Sequence, residues 1–267
     1  MLKDITLGQY FPGDTFVHRL DPRIKLVSVM LYIIALFSAK SFLTYGIMML
    51  ILGVSLFVSK IGLKTILKGI KPIFIVVIIT GILNLFYTPG EPLVRFWIFT
   101  ITKEGIFSAF FMIIRIIMLI ICTFLLTYTT SPILLTDGLE LLLSPLKKIK
   151  APIHELSMMM SIALRFIPTL IEETDKIMSA QKARGADFET GSLLKRAKAL
   201  LPLLVPLFIS AFRRADELAV AMECRCYHGG EGRTRMRQLK LVHRDYVTLF
   251  AGLALCVGVI VLGRFGW

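Results

Sequence analysis

Residues 105–127 contain a single charged side chain, Arg115. At a rise of 1.5 Å per residue, about 20 apolar residues cross the roughly 30 Å hydrocarbon core of a bilayer as one helix. In water such a run has no way to cover all its sides. Four further apolar runs fall at about 25–39, 42–58, 72–87 and 247–263. None of them alternates with a period of two, the pattern a membrane barrel requires. The expected fold is therefore an all-α membrane protein with about five transmembrane helices.

Charge orients these spans. Hydrophobic residues make up 56% of the chain and charged ones 18%, yet the net charge is +13. In a soluble protein that excess would point to nucleic acid. Here much of it flanks apolar spans, where the positive-inside rule accounts for it, and no nucleic-acid partner is expected. Lys60, Lys64, Lys68 and Lys71 form one face of a short amphipathic helix, interleaved with Ile61, Leu63, Ile66, Leu67 and Ile70. Such a helix lies on the anionic cytoplasmic leaflet. The 88–104 loop is balanced, Arg95 and Lys103 against Glu91 and Glu104, while 147–150 reads Lys-Lys-Ile-Lys. This bias places the N-terminus, 59–71 and the region from 147 onward in the cytoplasm. It places 88–104 outside, with Trp97 as an interfacial belt residue, and the C-terminus outside too. Asp21 before Pro22 suits an N-cap with proline at the first helical position, and Arg23 and Lys25 mark the membrane surface. The first residues lack the apolar stretch of a cleavable signal.

Residues 131–246 differ in character. They hold 18 of the 31 basic residues and 13 of the 18 acids. A short apolar helix from Ser131-Pro132 to Leu143 is interrupted at Ser144-Pro145. Two long helices follow, each apolar in its first half and charged in its second, with Pro168, Pro202 and Pro206 inside them. The first closes on Ala183-Arg184-Gly185 and the second on Cys224-Arg225-Cys226. At an offset of 41 residues Asp175 falls on Asp216, Ala180 on Ala221 and Arg184 on Arg225. A lone arginine at a helix C-terminus merely complements the dipole. A repeated Asp-x8-Arg with small flanking residues reads as two equivalent docking tips, each offering a guanidinium to a carboxylate or to carbonyls. Gly185 fits a left-handed C-cap. The organisation expected is an N-terminal membrane domain at 1–127, a cytoplasmic coupling domain at 128–246 and a C-terminal transmembrane helix at 247–267.

Catalytic chemistry finds little support. No Gly-x4-Gly-Lys-Ser/Thr stretch occurs, so no P-loop binds ATP. His18, His154, His228 and His243 are scattered, none beside a credible nucleophile. Cys224, Cys226 and His228 would fill three of four zinc positions, but the fourth ligand is missing, and no metal is assigned. Cys122 and Cys256, inside apolar runs, act as small hydrophobes. Arg115, mid-span, is either functional by default or a structural arginine bonded to helix carbonyls or to Asn84. Met158, Met159, Met160, Ile162 and Leu164 form a methionine-rich stretch suited to several partners, or to packing between the two helices.

Four stretches carry a resemblance across nearly the whole chain: Arg19-Leu20-Asp21-Pro22-Arg23-Ile24-Lys25, Arg165-Phe166-Ile167-Pro168, Ala180-x-x-Ala183-Arg184-Gly185 and Ala221-Met222-Glu223-Cys224-Arg225-Cys226-Tyr227. In them the chain resembles the transmembrane T component of energy-coupling factor (ECF) transporters, the EcfT/CbiQ-like family that includes the membrane subunit of cobalt and nickel uptake modules. The second motif in that family is usually also Ala-Arg-Gly; here cysteines flank a retained Arg225. The resemblance implies a non-catalytic subunit of an ABC importer in the bacterial cell membrane, with no cofactor of its own. Ala183, Arg184, Gly185, Cys224, Arg225 and Cys226 would dock two ABC ATPase subunits, EcfA and EcfA′-like. Met158, Met159 and Ile162 would meet a substrate-binding S component for vitamins or other micronutrients. Asp21, Pro22, Arg23 and Arg115 would serve structure and topology. A self-contained secondary transporter would need midplane polar sites in inverted repeats, and only Asn84 and Arg115 qualify. A membrane-embedded enzyme would need clustered acids or histidines within the spans.

Overall fold

The computed structural model describes residues 10–39, 41–96, 99–149, 152–188, 192–229 and 238–264. Trp97, Lys150, part of the 186–192 linker, residues 230–237 of the Gly-rich 229–246 segment and the chain ends lie outside the described residues.

Helix α1 (Pro22–Ser38) begins as proline at the first position dictates: the Asp21 side chain accepts from Arg23 N at 2.9 Å. Helix α2 (Phe42–Ser59) follows after a short link and ends on Lys60 in the left-handed region, φ 55°. Helix α3 (Leu63–Ile70) holds Lys64 and Lys68 of the expected lysine face, whereas Lys60 caps α2 and Lys71 caps α3; it meets α4 (Phe74–Tyr87) at a bend of 62°. The loop expected at 88–104 contains an antiparallel hairpin, β1 (Pro92–Phe96) with β2 (Phe99–Thr102). Val94, Thr100 and Ile101 are strand formers. The Glu104 carboxylate accepts from Glu91 N at 2.9 Å and closes the hairpin's base. Helix α5 (Lys103–Thr129) is capped by Thr102, whose Oγ1 accepts from Gly105 N. Helix α6 (Pro132–Leu143) passes into a 3-10 helix (Ser144–Ile149) at the Ser144-Pro145 step. Two 31-residue helices follow, α7 (Ile153–Ala183) and α8 (Leu193–Glu223), each continuous through its prolines. Helix α9 (His243–Arg264) ends the described chain.

By length and apolarity α2, α5 and α9 can each cross a membrane, and the bent pair α3–α4 makes a fourth candidate. At 17 residues α1 reaches the lower end of the usual range, about 17–25. Only 11% of the α9 window is buried within the protein. A helix that apolar and that bare is stable in lipid, not in water.

The chain divides into two compact units, one of residues 8–139 with 239–267 and one of residues 140–238. In the first, Tyr32 and Leu36 of α1, Tyr45 and Met48 of α2, Met118 and Cys122 of α5 and Val259 of α9 share one core. Helix α4 lies close on α5: a Cβ at Gly81 would sit 2.7 Å from Ile113 Cδ1. Helices α1 and α9 run in parallel. Asp21 N donates to Asp245 Oδ1 at one end, and Gly263 lies against the Ser38 carbonyl at the other. In the second unit α7 packs on α8.

Candidate functional site

The two arginine motifs close their helices in the same way. At the end of α7, Gly185 N donates to the Lys182 carbonyl at 3.0 Å and Ala186 N to that of Gln181 at 3.0 Å. At the end of α8, Cys226 N donates to the Glu223 carbonyl at 2.8 Å and Tyr227 N to that of Met222 at 3.1 Å. Every donor and acceptor is related by the offset of 41. The paired bonds are those of a Schellman cap, which needs a left-handed residue just past the helix. Gly185 provides it at φ 86° and Cys226 at φ 54°. The cysteine thus takes the backbone conformation that glycine takes in the first copy.

Ala183, Arg184, Gly185, Cys224, Arg225 and Cys226 are all exposed. Neither guanidinium has a hydrogen bond or ion pair among the described residues. Arg214 Nη2 meets Glu173 Oε2 at 2.7 Å, half-buried, where α7 and α8 pair. Positions 173 and 214 are themselves related by 41 residues, so equivalent sites of the two copies touch each other. Arg184 and Arg225 each lie eleven residues beyond that contact, about 16 Å along the helix. The two tips are therefore equally distant, along their own helices, from one shared contact.

The methionine-rich stretch of α7 divides. Met158 and Ile162, one helical turn apart, line a cavity of about 480 Å³ with Leu218 and Met222 of α8 and the tip residues Arg225 and Cys226. Met159 and Met160 are exposed, at 54% and 46%. The first two thirds of α8 are equally bare, with Leu201, Val205, Phe208 and Phe212 all exposed. Among the described residues no group of three or more His, Cys, Asp or Glu side chains is arranged to hold a metal ion.

Arg115 Nε donates to Tyr45 Oη at 2.9 Å and its Nη2 to the Ala39 carbonyl at 3.4 Å, with the guanidinium near the Phe37 and Tyr45 rings. Asn84 bonds instead to the Thr80 carbonyl of its own helix. Arg115 thus ties α5 to the connection between α1 and α2. Asp21 and Arg23 form a side-chain pair, and Arg23 also donates to the Leu239 carbonyl. Pro22 packs beneath Gly138 of α6, where a Cβ would approach Pro22 Cβ to 2.9 Å. Lys25 is not a surface cation. It is 6% exposed, and its Nζ donates to the carbonyls of His18 and Thr129 and to Thr130 Oγ1. Asp245 is buried too, accepting from Asp21 N and Val242 N. Sequence reasoning singled out neither role, because each depends on partners more than a hundred residues away. The signal available was an acid in the first turn of an apolar span, where a carboxylate suits a helix N-terminus.

The fold and these helix ends define an α-helical integral membrane protein that presents two equivalent arginine tips outside its apolar spans. The model of the CbiQ family, described as cobalt transport protein, matches residues 13–236. Among curated relatives, the energy-coupling factor transporter transmembrane protein EcfT of Clostridium kluyveri is 56% identical, covering 100% of this chain and 99% of its own. The EcfT proteins of Acidaminococcus fermentans (54%; 96% of each chain) and Bacillus subtilis (48%; 92% of this chain, 93% of its own) are similar along the same length. The chain belongs to the CbiQ/EcfT family of energy-coupling factor transporter transmembrane proteins.

Proposed function

We propose that the chain is the non-catalytic coupling subunit of an ECF-type ABC importer in the bacterial cell membrane. Arg184 and Arg225 each dock one of two ATPase subunits. Closure of the ATPases on ATP moves the two tips, and α7 and α8 pass that motion to a substrate-binding S component carrying a vitamin or another micronutrient. The observation that carries this reading is the pair of exposed, equivalently capped arginine tips, joined through Glu173 and Arg214 at equivalent positions. One helix end would serve one partner; two matched ends serve two. The bare apolar surface of α7 and α8 around Met159, Leu201 and Phe208 supports an apolar partner within the membrane boundary. Of the three residues expected at that S-component contact, exposed Met159 is assigned to it, while Met158 and Ile162 face α8. The lysine face of α3 supports a cytoplasmic N-terminus and cytoplasmic tips. The family description as cobalt transport protein supports a second reading, a metal-ion uptake module with the same mechanics.

The test is the double variant Arg184→Ala/Arg225→Ala in the intact complex. Transport should be lost and ATP hydrolysis uncoupled from it, with the protein still inserted, and each single change should do less. Normal uptake by the double variant removes the docking assignment. Purification in mild detergent should bring down ATPases; a lone chain that transports in vesicles would instead make this a secondary carrier.

A further inference from the structure

The unit containing α1, α2, α5 and α9 carries a cavity of about 590 Å³. Leu52, Cys122 and Val259 on its walls are buried, while Ile47 and Val54 are exposed, so it is a groove reaching the outer face of the helices. Along α9 it runs from Thr248 to Leu262, about 21 Å at the helical rise. One leaflet contributes about 15 Å of hydrocarbon, half of the bilayer core. The groove is therefore long enough for a whole acyl chain. Its walls at Leu52, Cys122 and Val259 are apolar, as a hydrocarbon tail requires.

A second cavity of about 500 Å³ adjoins it, since Phe16 and Val58 line both. This one is mixed, with Thr15, His18, Lys60, Thr65 and Asp14 among apolar residues on its walls. Asp14 faces Arg19 at 3.8 Å, and Lys60 has no acidic partner among the described residues. Burial holds the pKa of His18 below the ordinary histidine value, and its ring shares a 2.6 Å hydrogen bond with Thr15 Oγ1. In the groove itself, the buried Ser28 Oγ has no hydrogen-bond partner among the described residues.

We propose that these two cavities together bind one anionic glycerophospholipid, one of its two acyl chains in the groove, the other in the surrounding bilayer, and its phosphate at Lys60. Lipid touches every membrane protein. What sets this site apart is that an apolar groove as long as a leaflet opens, at the Phe16 and Val58 end, into a pocket lined by Lys60, a cation without an acidic partner among the described residues.

The full-length protein, stripped of lipid in mild detergent, is given phosphatidylglycerol, phosphatidylcholine or glycerol 1-phosphate, and bound species are counted by native mass spectrometry. One phosphatidylglycerol should be retained, preferred over phosphatidylcholine about fivefold, the effect of one basic residue at an anionic surface. Lys60→Gln should erase that preference and keep a lipid bound. At Gly258, on the groove wall, a Cβ meets nothing within 4 Å, so Gly258→Leu puts its side chain into the groove and should lose the retained lipid while unfolding at the wild-type temperature. Val54→Phe, on the opposite wall, repeats the test should Gly258→Leu fold poorly. Equal retention of both lipids, unchanged retention in both filled variants, or binding of glycerol 1-phosphate as tight as that of the whole lipid would each overturn the site. So would a photo-crosslinker at position 258 that captures a polypeptide in native membranes.

Discussion

Cys226 is a non-glycine residue held at φ 54°, where its counterpart Gly185 sits at 86°. A side chain in that region costs about 1–2 kcal/mol. Glycine there would relieve it but add unfolded-state entropy, worth about 0.4–1 kcal/mol. The strain outweighs the entropy, so Cys226→Gly should stabilise the end of α8 by up to about 1 kcal/mol. Slower amide exchange over residues 220–224 would register the gain. Cys226→Val, β-branched and worse suited to positive φ, should speed it. Faster exchange in the glycine variant would mean that the thiol holds the cap in some other way.

At the level of single elements, α7 has two faces in different surroundings. Met158 and Ile162 look toward Leu218 and Met222 of α8, while Met159 is bare. A carboxylate at each position should therefore act differently. Met159→Asp should weaken retention of the S component and leave the ATPases bound through Arg184 and Arg225. Ile162→Asp places a charge at an apolar contact between helices, where an unpaired ion is expensive, and should loosen the α7–α8 pair itself. Pull-downs of the two variants separate these outcomes. Loss of the ATPases with the S component retained, in the Met159 variant, would mean that the two ends of the helix are assigned to the wrong partners.

For the molecule as a whole, the ends of α1, α5 and α9 meet around Lys25, Asp21 and Asp245. Lys25→Met leaves two carbonyls and a hydroxyl without their donor and removes the buried cation near Asp21 and Asp245, of which Asp21 alone keeps Arg23. A buried charge cluster stripped of one partner loses about 3 kcal/mol, so a marked fall in unfolding temperature in detergent is expected. No change would show that the lysine's burial contributes nothing net. Sidedness has its own test. A cysteine at position 90 should react with an impermeant reagent added from outside, and one at position 64 should not, in a background lacking the exposed Cys224 and Cys226. The opposite pattern would invert the topology.

The apolar runs, the lysine face of α3, the Asp21-Pro22 start of α1, the break at Ser144-Pro145 and the paired arginine ends could all be read along the chain. Each rests on period, capping or composition within a few residues, and such interactions are local. The offset of 41 was legible for the same reason, since it compares the chain with itself. Tertiary structure alone decided what distant segments do to one another. It turned Lys25 from a surface marker into a buried donor to residues more than a hundred positions away. It set Glu173 against its own counterpart Arg214, and it gave Arg115 to Tyr45 and Ala39, not to Asn84. It also parted Met158 from Met159, because a step of one residue on a helix is a turn of about 100°, and only the position of α8 says which side is inside. The groove between α2 and α9 belongs to no single helix, and no pattern along the sequence announces a space that exists only where four of them meet.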